Sequence, residues 1–227
     1  MRRILKEAWI ATIPVMTGYL VLGFGFGIIL KSAGFGVLLA FSMSLLIYAG
    51  SMQYVAVGLL TGGASLLTAA LTALMVNARH LFYGISMLES YRDIGKTKLY
   101  LIFGLTDETY SLLVEENPRI SCGERERYCF FVTLLDHTYW VLGTLLGAVA
   151  GTLVNFNSEG VDFALTALFL TVFWEQWRSA DKHASAIIGV GISILCLLIF
   201  GGEHFLIPAM LLIALLLCFY PEEVRHE

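Results

Sequence analysis

Charged and polar side chains interrupt otherwise apolar stretches of this chain. The third apolar stretch holds Asn77, Arg79 and His80, and its polar end at Glu89 is about nine residues further on. Nine helical residues span about 13 Å, which is long for an arginine side chain to reach the membrane surface. An arginine at that depth costs about 2.5–3.5 kcal/mol unless it is paired or hydrated. We therefore predict an anionic partner for Arg79, and a substrate-binding role for Asn77 and Arg79.

The natural partner for Arg79 lies in the next apolar stretch, where Asp107 and Glu108 stand between Thr106 and Thr109. Two carboxylates cannot both remain ionised and unpaired in hydrocarbon. One acid could pair with Arg79 while the other titrates, as a proton-coupled transporter requires. The alternative is an interfacial helix whose acids are hydrated.

A second pair of titratable residues, Asp136 and His137, lies about eight residues into the fifth apolar stretch, counted from Tyr128. Imidazole changes its charge near neutral pH. We therefore group Asp136, His137 and His80 with the acids above as candidate proton-coupling residues. The structural alternative for His137 is a bond to Asp136 or to a neighbouring backbone carbonyl.

Small and polar residues interrupt the second apolar stretch at 48–53, in the order Tyr-Ala-Gly-Ser-Met-Gln. An unwound turn would leave backbone amides at the start of a half-helix free to bind a carboxylate. Gly50, Ser51 and Gln53 are therefore predicted to bind substrate. Alternatively, Ser51 and Gln53 bond to a neighbouring helix. The glycines that follow Pro14 in the first stretch suit either close helix packing or a hinge.

The elements that carry these residues are membrane helices. Of 227 residues, 58% are hydrophobic and 14% are charged, whereas soluble domains carry about 25% charged residues. The mean hydropathy is +0.78, and the apolar stretches are too long for the alternating strands of an outer-membrane barrel. We predict an all-α polytopic integral membrane protein with about 7–8 hydrophobic segments in a single transmembrane domain over 1–227. The segments are 8–30, 37–60, 64–88, 99–116, 128–154, 162–177, 183–201 and 205–220.

Basic residues near the helix ends constrain the topology. By the positive-inside rule, the basic residues at 2–6 place the N-terminus in the cytoplasm. Eight full crossings would put the basic residues of 92–98 outside. That conflict disappears only if one segment before residue 89 and the segment after it do not span. Segment 99–116 would be about 27 Å long as a helix, so it could be broken or re-entrant.

Several function classes lack support. No Walker A, dinucleotide-binding, zinc-protease or haem motif occurs, so we expect no cofactor and no metal site, and transport must be driven by a gradient. The four cysteines form no CxxC pair, and no basic patch suggests nucleic acid. A channel is the main alternative to a transporter. An intramembrane hydrolase built from Ser51, His80 and Asp107 has no supporting motif. The four tryptophans are assigned to interfacial aromatic belts.

Three stretches are specific in residue type, order and spacing: 49–53 (AGSMQ), 77–84 (NARHLFYG) and 104–108 (GLTDE). With the proline and glycines of the first segment, and with Trp140 and the glycines after it, they make the chain resemble the AzlC family. The resemblance implies a bacterial inner-membrane exporter of branched-chain or similar apolar amino acids, acting with a small AzlD-like membrane subunit. It implies no residue roles, so the site predictions above rest on physical grounds. Combined with them, the hypothesis is proton antiport.

Overall fold

The computed structural model describes residues 1–92, 94–114, 117–153, 170, 173–174, 177–178 and 183–219. The chain divides into two compact units, Met1–Val161 and Asp162–Glu227, which are described separately. A single transmembrane domain over 1–227 thus stays a prediction, and predicted segment 162–177 lies mostly outside the described residues. The described helices are α1 (Arg2–Ser32), α2 (Val37–Leu46), α3 (Gly50–Thr61), α4 (Leu66–Val76), α5 (Arg79–Ser86), α6 (Lys98–Phe103), α7 (Asp107–Leu113), α8 (Arg125–Leu153), α9 (Ala184–His204) and α10 (Leu206–Phe219).

Two long helices, α1 and α8, form the central pair of the first unit. Each is long and apolar enough to cross a membrane. Gly23 packs against Trp140 and Thr144, and Gly151 packs against Lys31 near the end of α1. Because the residue numbers rise together along the contact, the two helices run parallel.

Glycines let these two backbones touch. A Cβ atom at Gly23 would lie 2.9 Å from the carbonyl oxygen of Trp140, and one at Gly147 would overlap the carbonyl oxygen of Phe24. Small residues at such contacts allow close helix approach without a side chain in between. Of the two roles considered for the glycines of the first segment, close helix packing or a hinge, Gly23 therefore has the packing role. A Cβ at Gly18 would meet nothing within 4 Å.

The second apolar segment, 37–60, is a hairpin of two half-helices rather than a crossing. The chain turns at Tyr48, which has a left-handed φ of 46°. The side-chain amide of Gln53 in α3 then donates to the hydroxyl of Ser44 in α2 over 3.1 Å. The Tyr54 hydroxyl donates to the backbone carbonyl of Leu22 over 2.6 Å. In a continuous helix residues 44 and 53 would be about 13.5 Å apart along the axis, so α3 runs back beside α2.

Helices α4 and α5 form one helical segment that is broken in the middle. The helix stops at Val76 and resumes at Arg79, with Asn77 and Ala78 in the break. Just past α5, Met87 lies in the buried cluster that also contains Ile4. The α4–α5 segment therefore ends beside the start of α1.

Helices α6 and α7 form a second hairpin, which agrees with the expectation that segment 99–116 is broken or re-entrant. Leu101 in α6 and Leu113 in α7 belong to the same buried cluster as Ile4 and Tyr128, near the first turns of α1 and α8. Between them, Thr109 reaches deeper and bonds to Asp136. The segment thus enters and leaves at one end of the unit.

Basic loops gather at that same end. Arg3 pairs with Glu124, and Arg119 pairs with Glu7 at 3.3 Å. Thr97 donates to Glu126 over 2.6 Å, which ties the loop after α5 to the start of α8. The loop at 94–98 therefore lies at the same end of the unit as the N-terminus, which agrees with the condition that one segment before residue 89 and the segment after it do not span.

The second unit contains α9 and α10 among its described residues. Ala184–Gly202 is long and apolar enough to cross a membrane. Gly201, with φ of 72°, interrupts the end of α9 before α10 begins. The rings of Trp177 and His183 stack with centroids 4.0 Å apart. These two helices coincide with predicted segments 183–201 and 205–220.

Candidate functional site

The first part of the site is an ion pair between two interrupted segments. Nη2 of Arg79, at the start of α5, lies 2.9 Å from Oδ2 of Asp107, at the start of α7. The same nitrogen donates to Oγ of Ser51, in the first turn of α3, over 2.7 Å. The anionic partner expected for Arg79 is thus Asp107, and Ser51 belongs to the same cluster.

Polar atoms of this cluster remain without partners. Arg79 Nε, Asp107 Oδ1 and Asn77 Oδ1 are buried and have no hydrogen-bond partner among the described residues. Buried polar atoms are normally hydrogen-bonded. The cluster therefore offers one cationic donor and two acceptors to a ligand.

An apolar cavity of about 530 Å³ adjoins the cluster through Asn77. That volume is within the range of about 300–1,000 Å³ usual for small-molecule sites. Its walls come from the α2–α3 turn, α5 and α6, and include Ile47, Leu81, Ile85, Ile102, Phe103 and Leu105. Polar residues at its edge are Tyr48, His80, Tyr91 and Lys98. The hydroxyls of Tyr48 and Tyr91 have no partner among the described residues.

A chain of hydroxyls connects the second acid of α7 with α8. The Tyr19 hydroxyl is 2.7 Å from Glu108 Oε2 and 2.7 Å from Thr106 Oγ1. Thr106 Oγ1 is 3.1 Å from Thr109 Oγ1, which donates to Asp136 Oδ2 over 2.9 Å. Both acids predicted to titrate thus belong to one hydrogen-bond chain.

The two histidines have backbone partners. Nε2 of His137 is 3.3 Å from the carbonyl oxygen of Ser44, and its Nδ1 is 3.2 Å from the hydroxyl of Tyr100. Since a carbonyl only accepts, Nε2 carries a proton, which supports the backbone-carbonyl alternative for His137. His80 Nδ1 lies 3.1 Å from the carbonyl of Asn77.

Gln53 and Gly50 take part in helix contacts. Gln53 is fully buried, and its Oε1 accepts from the indole of Trp140 over 2.9 Å. Its amide donates to Ser44, which in turn donates to Thr144 over 2.9 Å. A Cβ at Gly50 would lie 3.1 Å from the Trp140 ring. These contacts support the packing alternative for Gln53, although its substrate-binding role stays a prediction.

Other chemistries find little support in the geometry. Ser51 bonds to Arg79 rather than to His80, so the hydrolytic arrangement of Ser51, His80 and Asp107 is not assembled. Across the described ranges, no three His, Cys, Asp or Glu side chains come together to hold a metal ion.

Sequence reasoning missed Tyr19 and misplaced Trp140. Trp140 is only 3% exposed and bonds to Gln53, so its assignment to an interfacial belt is wrong. Tyr19 stands near the middle of segment 8–30, and a buried hydroxyl needs a partner. That position is a signal that could have singled out Tyr19.

The AzlC protein family model matches residues 14–154, a span that contains every candidate residue described above. The chain belongs to the AzlC family. It is 49% identical over 208 residues to the branched-chain amino acid transport protein AzlC of Bacillus subtilis, covering 92% of this chain and 82% of that protein. No solved structure matches the chain.

Other relatives are named as membrane proteins. An uncharacterized membrane protein of Haemophilus influenzae is 46% identical and covers 93% of this chain and 87% of its own length. The inner membrane protein YgaZ of Escherichia coli is 33% identical, with 70% of this chain and 68% of that protein covered. Together with the helices described above, these relatives confirm an all-α polytopic membrane protein.

Proposed function

We propose that this chain transports branched-chain or similar apolar α-amino acids across the bacterial inner membrane. The observation that carries the proposal is the Arg79–Asp107 pair, which keeps buried, unpartnered polar atoms beside an apolar cavity. An α-amino acid zwitterion carries the complementary charges and an apolar side chain. The naming of the Bacillus subtilis relative as a branched-chain amino acid transport protein supports the same substrate class.

The binding mode follows from the charges. The substrate carboxylate meets Arg79, helped by Ser51 and by amides of the first turn of α3, which have no partners within their own helix. The ammonium group meets Asp107 Oδ1 and Asn77 Oδ1. The branched side chain occupies the adjoining cavity, where burial contributes about 0.8 kcal/mol per CH₂ group.

The direction of transport is export, driven by proton antiport through Glu108 and Asp136, with His80 and His137 nearby. The N-terminus is cytoplasmic, because the basic loops of the first unit lie on one side and positively charged loops stay inside. A small AzlD-like subunit completes the exporter, as the family resemblance implies. In this proposal the chain is a carrier and not an enzyme.

Uptake of radiolabelled leucine or valine into everted vesicles tests the proposal. Vesicles carry the chain with or without a small AzlD-like subunit, under an imposed pH gradient. Gradient-dependent accumulation with both subunits is expected. No accumulation under any condition would refute it.

Two variants localise the activity. We expect Asp107→Asn to lower the uptake rate by about a hundredfold, because it removes the charge that meets the ammonium group. Glu124→Gln is the matched control, since Glu124 also pairs with an arginine but lies in the 3₁₀ turn before α8. Equal loss in both variants would contradict the site. Saturable counterflow distinguishes this carrier from a channel.

A further inference from the structure

We propose that Glu108 and Asp136 share a single proton, which moves between them through the hydroxyls of Tyr19, Thr106 and Thr109. The arrangement deepens the proposed function, on which its role in transport rests. The sharing of the proton itself is inferred from the geometry alone.

The chain of oxygen atoms is continuous. From Glu108 Oε2 through Tyr19, Thr106 and Thr109 to Asp136 Oδ2, the four successive oxygen–oxygen distances are 2.7, 2.7, 3.1 and 2.9 Å. All are compatible with hydrogen bonds between oxygens, the third being the longest. Thr106, Thr109 and Asp136 are at most 8% exposed, so water does not replace these partners freely.

Counting protons gives the stoichiometry. The three hydroxyls supply three protons to four oxygen–oxygen links. If both carboxyl groups are ionised, one link has no proton and two lone pairs face each other. If both are protonated, the fifth proton has no place in the four links and sits on a carboxyl oxygen outside the chain; Asp136 Oδ1 is buried and has no partner for it among the described residues. One shared proton fills every link, so the two acids titrate as a coupled pair.

Thr106 is compatible with either polarity of the chain. Its Oγ1 accepts the backbone N–H of Thr109 at 3.3 Å and thereby caps α7. That leaves one lone pair and one proton for the two hydroxyl neighbours, Tyr19 and Thr109. Thr106 can therefore accept from Tyr19 and donate to Thr109, or the reverse.

The transfer step is balanced. A proton leaves Glu108 for the oxygen of Tyr19, the Tyr19 proton passes to Thr106, the Thr106 proton to Thr109, and the Thr109 proton to Asp136. Each hydroxyl loses one proton and gains one, so one proton moves in total. The hydroxyls stay neutral, and the negative charge moves from Asp136 to Glu108.

The titratable groups around Glu108 and Asp136 are paired with an opposite charge, held by hydrogen bonds or uncharged, so the proton is exchanged between these two acids. Near Glu108, the charge of Asp107 is matched by Arg79, and the remaining titratable neighbours are Tyr48 and Tyr83. Near Asp136 are His137, held by Ser44 and Tyr100, and the phenols of Tyr48, Tyr100, Tyr128 and Tyr139. Phenols are uncharged near neutral pH.

This chain connects the substrate cluster with the interior of α8. Glu108 directly follows Asp107, the proposed partner of the substrate ammonium. A positive group arriving at Asp107 favours a negative charge on Glu108, which drives the shared proton towards Asp136. Substrate binding and proton position are then coupled without a direct contact.

Thr109→Val tests the relay, because it removes one hydroxyl and keeps the side-chain shape. Thr133→Val is the matched control, since Thr133 is also fully buried but its hydroxyl has no partner among the described residues. In proteoliposomes we expect Thr109→Val to lower pH-driven transport by about tenfold or more, and to lower amino-acid counterflow at equal pH by a smaller factor. Thr133→Val keeps both. Equal behaviour of the two variants in pH-driven transport would overturn the relay.

Infrared difference spectra of the purified chain between acidic and alkaline pH test proton sharing without transport. The Glu108→Gln and Asp136→Asn variants identify the carbonyl bands of the pair. We expect one protonated-carboxyl band that both variants alter, and its separation into two independent bands in Thr109→Val. Two independent bands in the wild-type chain would overturn the proposal. If the wild-type chain moves no amino acid, the proposed function fails, while these spectra still decide the relay.

Discussion

Arg79 and Asp107 form an ion pair at 2.9 Å, although one begins α5 and the other begins α7. Removing one partner leaves the other charge partly buried and unmatched. We expect Arg79→Met to lower the free energy of unfolding by about 1–3 kcal/mol, between the values for exposed and buried pairs. The double variant Arg79→Met/Asp107→Leu regains most of this stability but not transport. Thermal unfolding in detergent and leucine uptake measure the two effects, and recovery of transport in the double variant would refute a substrate role.

The contact between α1 and α8 tolerates no side chain at Gly147, where a Cβ would overlap the backbone carbonyl of Phe24. We expect Gly147→Ala to destabilise the protein by about 1–3 kcal/mol, because the two helices must separate. Gly18→Ala in α1 is the control, since its Cβ meets nothing within 4 Å, and it is neutral or stabilising by up to about 1 kcal/mol. Chemical unfolding in detergent compares them; equal stability would show that the two helices do not pack this closely.

The side chain of Gln53 is hydrogen-bonded to Ser44 and to Trp140, so its replacement should lower the stability of the protein more than its affinity for substrate. We expect Gln53→Leu to cost about 1–3 kcal/mol, because it leaves the buried indole N–H of Trp140 without an acceptor and removes one donor to Ser44. Uptake per folded molecule should keep its KM. Ser42→Ala, which removes only a bond to the Leu38 carbonyl, is the control. A raised KM without loss of stability would support the substrate-binding prediction instead.

The two hairpins predict which loops share a side of the membrane. Single cysteines at Ser90 and Ser121 should react with a membrane-impermeant maleimide from the side of the N-terminus, because these loops lie beside the first turns of α1 and α8. Cysteines at Ser65 and Gly36 should react from the opposite side. The labelling requires a background without the four native cysteines, Cys122, Cys129, Cys196 and Cys218. Labelling of Ser65 and Ser90 from one side would contradict the topology.

Much of the site could be predicted from single residues. Arg79 in an apolar segment needs an anion, and the acids inside the next apolar segment are Asp107 and Glu108. The pairing of Arg79 with Asp107 thus followed from the cost of a lone charge in hydrocarbon. Asp136 and His137 were selected in the same way. Their partners were not predictable, because hydrogen bonds with Thr109 and Ser44 depend on how distant segments pack.

The sequence by itself determined that this is a bundle of membrane helices with polar breaks, because length and apolarity follow from bilayer thickness alone. Its charge pattern left the number of crossings open: the basic residues of 92–98 share a side with the N-terminus only if one segment before residue 89 and the segment after it do not cross. Only the tertiary structure decided that 37–60 and 99–116 are those segments. A half-helix and a full crossing have the same apolar composition. They differ in the contacts that a turn makes with distant segments, such as the contact of Tyr48 with Tyr19. For the same reason the hydroxyl chain from Glu108 to Asp136 exists only once α1, α7 and α8 are packed together.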